Sequence, residues 1–410
     1  MSAMKRLFQL MAEKNASDIF LAVGAPINIK INGVAMPVNQ TIMTADTVRQ
    51  LLYEILTEKQ IREYEDEMEL NIGYSLQGVG SFRISAFRQK QSPAVVVRYI
   101  PGVIPALDSL GLPPVLREVI MQKRGLLLMV GATGSGKSTS LAAMLDYRNS
   151  LQSGHILTLE DPVEFVFTNK KSIVNQREIG TDTKAFYVAL RNALRQAPDC
   201  ILIGEIRDKE TMAMALAYAQ SGHLCLATLH ANNSYHAMNR IINFYPLENR
   251  PSLLLDLAAT LQAVVSQRLV RTKAGRRAAA VEVLLNTRHI QELIQKGEIN
   301  EMKEALEKSM APGSQTFEQA LFRLFMEGKI TQDEALSNAD SATNMLWLIN
   351  QATAGDTTGD VAGESAEGEV DIPVEPAEAP ATNGKGETRE DPFSRTGDIT
   401  QFRDIKIDLS

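Results

Sequence analysis

The stretch GLLLMVGATGSGKSTS, residues 125–140, restricts what this chain can fold into more than any other. Gly131, Gly136, Lys137 and Ser138 satisfy the spacing G-x-x-x-x-G-K-[ST], behind an apolar run and ahead of helix formers. That is the pattern of a buried strand, a phosphate-binding loop and the first turn of a helix. At average amino-acid usage the fixed positions match by chance in roughly 1% of chains this long, so an ordinary glycine turn competes poorly. Gly131, Thr133, Gly134, Ser135, Gly136 and Thr139 are candidates to cradle the phosphates of ATP, Lys137 to bridge the outer phosphates and Ser138 to ligate Mg²⁺. Kinases, switches, helicases and motors all use such a loop.

Composition narrows the choice. With 410 residues and 44% hydrophobic content there is room for two folded domains and more. No run approaches the ~18 apolar residues of a spanning helix, and the basic amphipathic start MSAMKRLFQLMAEKNASD lacks the marks of a signal peptide. A cytoplasmic protein without a transmembrane segment is expected. Cys200 and Cys225 both lie in apolar strand-like runs, which predicts buried free thiols, and two cysteines exclude a four-cysteine zinc site within the chain. The net charge of −7 is concentrated in residues 353–410, where fourteen Asp and Glu face five Lys and Arg; the first 352 residues carry +2. No strongly basic surface is implied, and no nucleic-acid partner is expected.

Along the chain the pattern changes several times. Residues 1–100 mix strand-like runs (IFLAVG, INIKING, FRISAFRQ, AVVVRYI) with a helical TADTVRQLLYEILTEKQIREYEDE, which suggests a small α+β domain. Residues 101–114, rich in Pro and Gly, read as a linker. Over residues 115–280 the buried-type strands LLLMVG, HILTLE, CILIGEI and HLCLATLH alternate with helices, the pattern of a parallel α/β sheet. Residues 281–351 read as helical throughout, and residues 352–410 as an acidic, disordered tail whose last residues, ITQFRDIKIDL, regain apolar character.

Carboxylates recur at strand ends. ILTLEDPVEF puts Glu160, Asp161 and Glu164 at and beyond one strand terminus, where doubly wound sheets bind ligands. Glu160 and Glu164 are candidates for catalysis, and Glu205, after CILIG, stands where a Walker B acid belongs and is a candidate for both catalysis and metal binding. Sequence leaves open whether Glu164 or Glu205 orients the attacking water. His223 and His230 bracket a third strand; His230 could sense a γ-phosphate from its end, while His223 reads as structural.

The segments GATGSGKST, HILTLEDPVEF, LRQAPDCILIGEIRD and SGHLCLATLHANN, in that order, resemble the Walker A, Asp box, Walker B and His box of the secretion and type IV pilus ATPase superfamily. The likeness covers residues 1 to about 350 and is strongest to the retraction branch, PilT and PilU. Ala197, the sequence HANN, VEVLLNTRHIQELIQKGEIN in place of an AIRNL-type motif, and the acidic extension are PilU-like. The resemblance implies a homo-hexameric ring, with nucleotide held between a PAS-like N-terminal domain and a RecA-like P-loop ATPase domain. It also implies arginines that reach the phosphates: Arg83 and Arg98 from the N-terminal domain, and Arg191 and Arg195 before the Walker B strand. Ser81 departs from the family, which commonly has arginine there. By the same likeness the chain would work at the inner-membrane pilus base, on a platform protein and with a PilT-like partner ATPase. The alternatives are a regulatory subunit with little turnover of its own, or a secretion-system ATPase.

Overall fold

The structure is a computed structural model that describes residues 2–355 apart from Asn32, Gln77 and Pro101. The acidic tail and its apolar end lie outside the described residues. Among the described residues, thirteen strands form two sheets. The first holds β1 (Asp18–Ala22), β2 (Asn28–Ile31), β3 (Val34–Pro37), β4 (Glu69–Leu76), β5 (Gly80–Gln89) and β6 (Ser92–Ile100). All its neighbours are antiparallel, in the order β3-β2-β1-β6-β5-β4.

One face of that sheet is covered by helices. Met4, Leu7, Phe8 and Met11 recur at helical spacing on Ala3–Glu13 and are fully buried against Ile19, Phe82, Ile84 and Val97. Period-two alternation then decides where the charges go. Phe82, Ile84, Val95 and Val97 point into the core, so Arg83 and Arg98 stand on the opposite, open face. They are direct partners across β5 and β6, an unfavourable pairing of like charges. Asp18 offsets it: it lies opposite Arg98 on β1 and accepts from its Nε at 3.0 Å. The single helical segment expected between β3 and β4 is two helices, Ala45–Tyr53 and Glu58–Glu67. Thr57 interrupts it by starting the second with a capping box to Gln60.

The second sheet is built from β7 (Gly125–Val130), β8 (Gly154–Glu160), β9 (Ser172–Glu178), β10 (Cys200–Ile203), β11 (Leu224–Leu229), β12 (Leu261–Arg271) and β13 (Arg277–Leu285). The order is β13-β12-β7-β11-β10-β8-β9, and every pair except β12 with β13 is parallel. β7, β10 and β11 are buried at every position, because apolar clusters cover both faces. Cys200 and Cys225 are buried free thiols there.

Two expectations need correction. Residues 281–285 are not helical: VEVLL completes β13, which runs antiparallel to β12, so the sheet is mixed rather than parallel. Val281 and Val283 are β-branched, alternate along the run and bury fully, which favours the strand over the helix that follows it. Residues 102–114 are also more than a tether. Leu107 is buried in the core under β7, and Asp108 pairs with Arg117 on the helix Val115–Ile120.

Candidate functional site

The functional side chains gather because four parallel strands end at one edge. β7 delivers the loop 131–136, β8 ends on Glu160, β10 precedes Glu205 and β11 precedes His230. Gly136, at φ +87°, is the residue before the helix Lys137–Leu151, and a Cβ there would meet Gln267 Nε2 at 2.7 Å. A Cβ on Gly131 would lie 2.5 Å from Ser135 Oγ and 2.6 Å from Gln267 O. Only glycine allows the backbone to fold this tightly.

Gln267, on β12, touches the phosphate-binding loop and was missed by motif reading. Its amide donates to Ser135 O at 2.9 Å and accepts from Ser140 Oγ at 2.7 Å, clamping the loop to the helix it feeds. No local signal marks it; it lies about 130 residues beyond the loop and arrives through the β7–β12 pairing.

Lys137 is buried, and its Nζ donates to Gly131 O and Ala132 O, both at 2.8 Å. Burial pushes its pKa below the usual lysine value, while the nearby charges of Glu164 and Glu205 oppose the shift. An anion placed in the loop would favour the charged form further. Glu205 sits between Arg207 and His230: Oε2 accepts from Arg207 Nε at 2.6 Å, and Oε1 is 3.5 Å from His230 Nε2. The hydrogen bond from Arg207 raises the arginine's own pKa. Glu160 is buried, which holds its carboxyl above the usual range. Its oxygens accept from Thr158 at 2.6 Å, Gln176 at 3.2 Å and the Glu164 N–H at 3.4 Å, so it fixes the course of the 160–164 loop.

A cleft of about 940 Å³ joins these groups to the open face of the first sheet. Lys137, Ser138, Glu164, Glu205 and His230 line one wall, and Arg83 and Arg98 line the other. Thr133, Gly134, Gly136 and Thr139 also reach it, whereas Gly131 and Ser135 line a second cleft of about 430 Å³ on the far side of the loop. Arg277 of β13 borders both, another residue sequence reasoning passed over because its strand was not recognised. Arg191 and Arg195 are exposed near the end of the helix Phe186–Ala193 and do not line either cleft. His223 is occupied with Ser221 Oγ and Tyr218 O, as a structural histidine would be. The oxygen donors of Ser138 and Glu205 suit a hard divalent cation, and the loop's glycines leave room for phosphates.

Fold and loop together define a P-loop ATPase. The model of the Type II/IV secretion system protein family matches residues 2–337, and the chain belongs to that family. It is 46% identical over 353 residues to the type IV pilus ATPase PilU of Pseudomonas aeruginosa, covering 86% of this chain and 92% of that one. With the PilT ATPase of the same organism it shares 38% identity over 338 residues, 82% of this chain and 98% of PilT. Among solved structures, that of the pilus retraction motor PilT with bound ADP superposes with a TM-score of 0.78 at 38% identity, over 84% of this chain and 98% of the other. The DotB ATPase of Legionella pneumophila follows at a TM-score of 0.70 and 28% identity, over 81% and 94%. No helix among the described residues is long and apolar enough to cross a membrane.

Proposed function

We propose that this ATPase is a type IV pilus retraction motor of the PilU kind. It forms a ring of six, acts beside a PilT-like ATPase, and turns an inner-membrane platform protein so that pilin subunits leave the fibre. The observation that carries this reading is the shared cleft: Arg83 and Arg98 of the N-terminal sheet face Lys137 and Glu205 of the ATPase sheet across one space. A nucleotide held there touches both domains, so hydrolysis alters what holds them together. The N-terminal domain, read as PAS-like, then rotates as a rigid body about residues 101–114.

Within the site, Lys137 takes the outer phosphates, and Ser138 with Glu205 faces the metal. Either Glu164 or Glu205 orients water, and His230 senses the γ-phosphate from beside Glu205. Mg²⁺ bound with the nucleotide supplies charge neutralisation on the phosphates. Arg83 and Arg98 add positive charge from the facing domain as the cleft closes.

Twitching by a piliated bacterium lacking both retraction ATPases tests the reading. The chain together with a PilT-like protein restores movement, and the chain alone does not. Movement with the chain alone would remove the dependence on a partner; none in either case would remove the retraction role.

A further inference from the structure

The loop between β11 and the helix Ser234–Asn243 begins at His230 and ends at Asn233, four residues whose ends lie at most about 11 Å apart. Its two ends are held by different parts of the molecule. At one end His230 Nε2 lies 3.5 Å from Glu205. At the other, Asn233 is 2% exposed and does two things at once: Oδ1 caps the helix by accepting from His236 N–H at 3.0 Å, and Nδ2 donates to Asp340 Oδ2 at 2.7 Å.

Asp340 belongs to the C-terminal helical part, just ahead of the helix Ala342–Gly355. Its other oxygen accepts from Arg268, which also donates to the carbonyls of Asn232 and Asn338 and packs 3.9 Å over the Phe317 ring. Arg268 follows Gln267, the residue that clamps the phosphate loop. Arg240, from the loop's own helix, donates to His230 O at 2.6 Å; that bond closes the loop on itself without tying it to the rest of the molecule. The hydrogen bonds that tie the loop to the C-terminal part run through Asn233, Asn232, Asp340 and Arg268, beside the anchor that Glu282 gives the neighbouring Ser234 N–H.

We propose that Asp340, with Arg268, is a positioning residue for ATP hydrolysis: the C-terminal part holds the 230–233 loop so that His230 meets Glu205 and the terminal phosphate. This rests on the role given to His230 above. It assigns residues 286–355 a task in the chemistry, in place of mere attachment to the ATPase core. The charge is well placed for it, since the Asp340 and Arg268 side chains are only 12% and 22% exposed. The pair is therefore weakly screened and directionally fixed.

Three variants and a control separate positioning from folding. Asn233→Ser keeps a helix-capping oxygen but is too short to reach Asp340. Asp340→Asn still accepts from Arg268, yet turns its amide N–H₂ toward that of Asn233, two donors facing. Asn233→Asp combined with Asp340→Asn reverses donor and acceptor and restores the bond. The expected result is kcat about tenfold lower in each single variant, with ADP Kd within about twofold of the unaltered protein. The combined variant recovers most of the loss. Single variants hydrolysing ATP at the unaltered rate would overturn the proposal, as would losses that follow the unfolding temperature and persist in the combined variant. His230→Ala is the control: full turnover there would sink the reading of the site itself, whereas slow turnover there with a fast Asn233→Ser sinks the positioning role alone.

Discussion

At the scale of single residues, the site is a set of charges whose positions are fixed by their neighbours. Glu164 and Glu205 both act electrostatically on Lys137, but their surroundings differ. Glu205 is half-buried between Arg207 and His230, while Glu164 is exposed to the cleft. Replacing each with Gln distinguishes them. The one that orients water loses a hundredfold or more in kcat, about 3 kcal/mol of barrier, with metal and nucleotide affinity kept. The one that serves the metal raises the Mg²⁺ requirement. Full activity in both variants would contradict the assignment. Glu282 offers a different test. It is buried beneath the helix Ser234–Asn243 and accepts from Ser234 N–H and Ser266 Oγ, and burial holds its carboxyl above the usual range. A carboxyl raised on folding carries no penalty below its unfolded pKa of about 4.3, and the full penalty above its folded one. Stability from this group therefore falls as pH rises through that window. Urea midpoints of Glu282→Gln, compared with the unaltered protein from about pH 5 to pH 8, should gain on it as pH rises. A difference independent of pH would show that Glu282 does not titrate there.

At the scale of elements, much was legible because the strongest signals are local. The strand-loop-helix at 125–151 and the strand ends at Glu160, Glu205 and His230 follow from apolar runs and their terminating residues. What stayed hidden depends on pairing across long stretches of chain. β12 and β13 become strands by adding to a sheet edge, and β13 contains AAAV, which has no strong strand signal of its own. Gln267 could not be found without them. A glutamine in the middle of a strand reads as a solvent-facing position until the phosphate loop is known to lie against it. Removing it as Gln267→Ala leaves Ser135 O and Ser140 Oγ without their partner, at a cost of about 1–3 kcal/mol. The expected outcome is a lower unfolding temperature together with ADP binding weakened about tenfold, read by calorimetric titration. Unchanged affinity would mean that the loop holds its shape without the clamp. The arginines show the same limit. Alternation along β5 and β6 fixes that Arg83 and Arg98 face away from their own core, but only the docking of two domains shows what they face.

At the scale of the whole molecule, two sheets of unlike construction meet at a water-accessible cleft. One is antiparallel and covered by helices on one side, leaving a face free; the other is largely parallel and covered on both, leaving its strand ends free. The cleft forms where the free face meets the free ends, and the segment that joins the sheets packs beneath β7 through Leu107. On the proposed function, nucleotide is the substance through which the domains are coupled, and Lys137 is the residue that grips it. The decisive measurement is steady-state Mg-ATP hydrolysis by the purified full chain beside its Lys137→Ala variant. Turnover is expected in the first and its loss in the second, with both proteins folded. Equal turnover by Lys137→Ala would contradict the role given to Lys137.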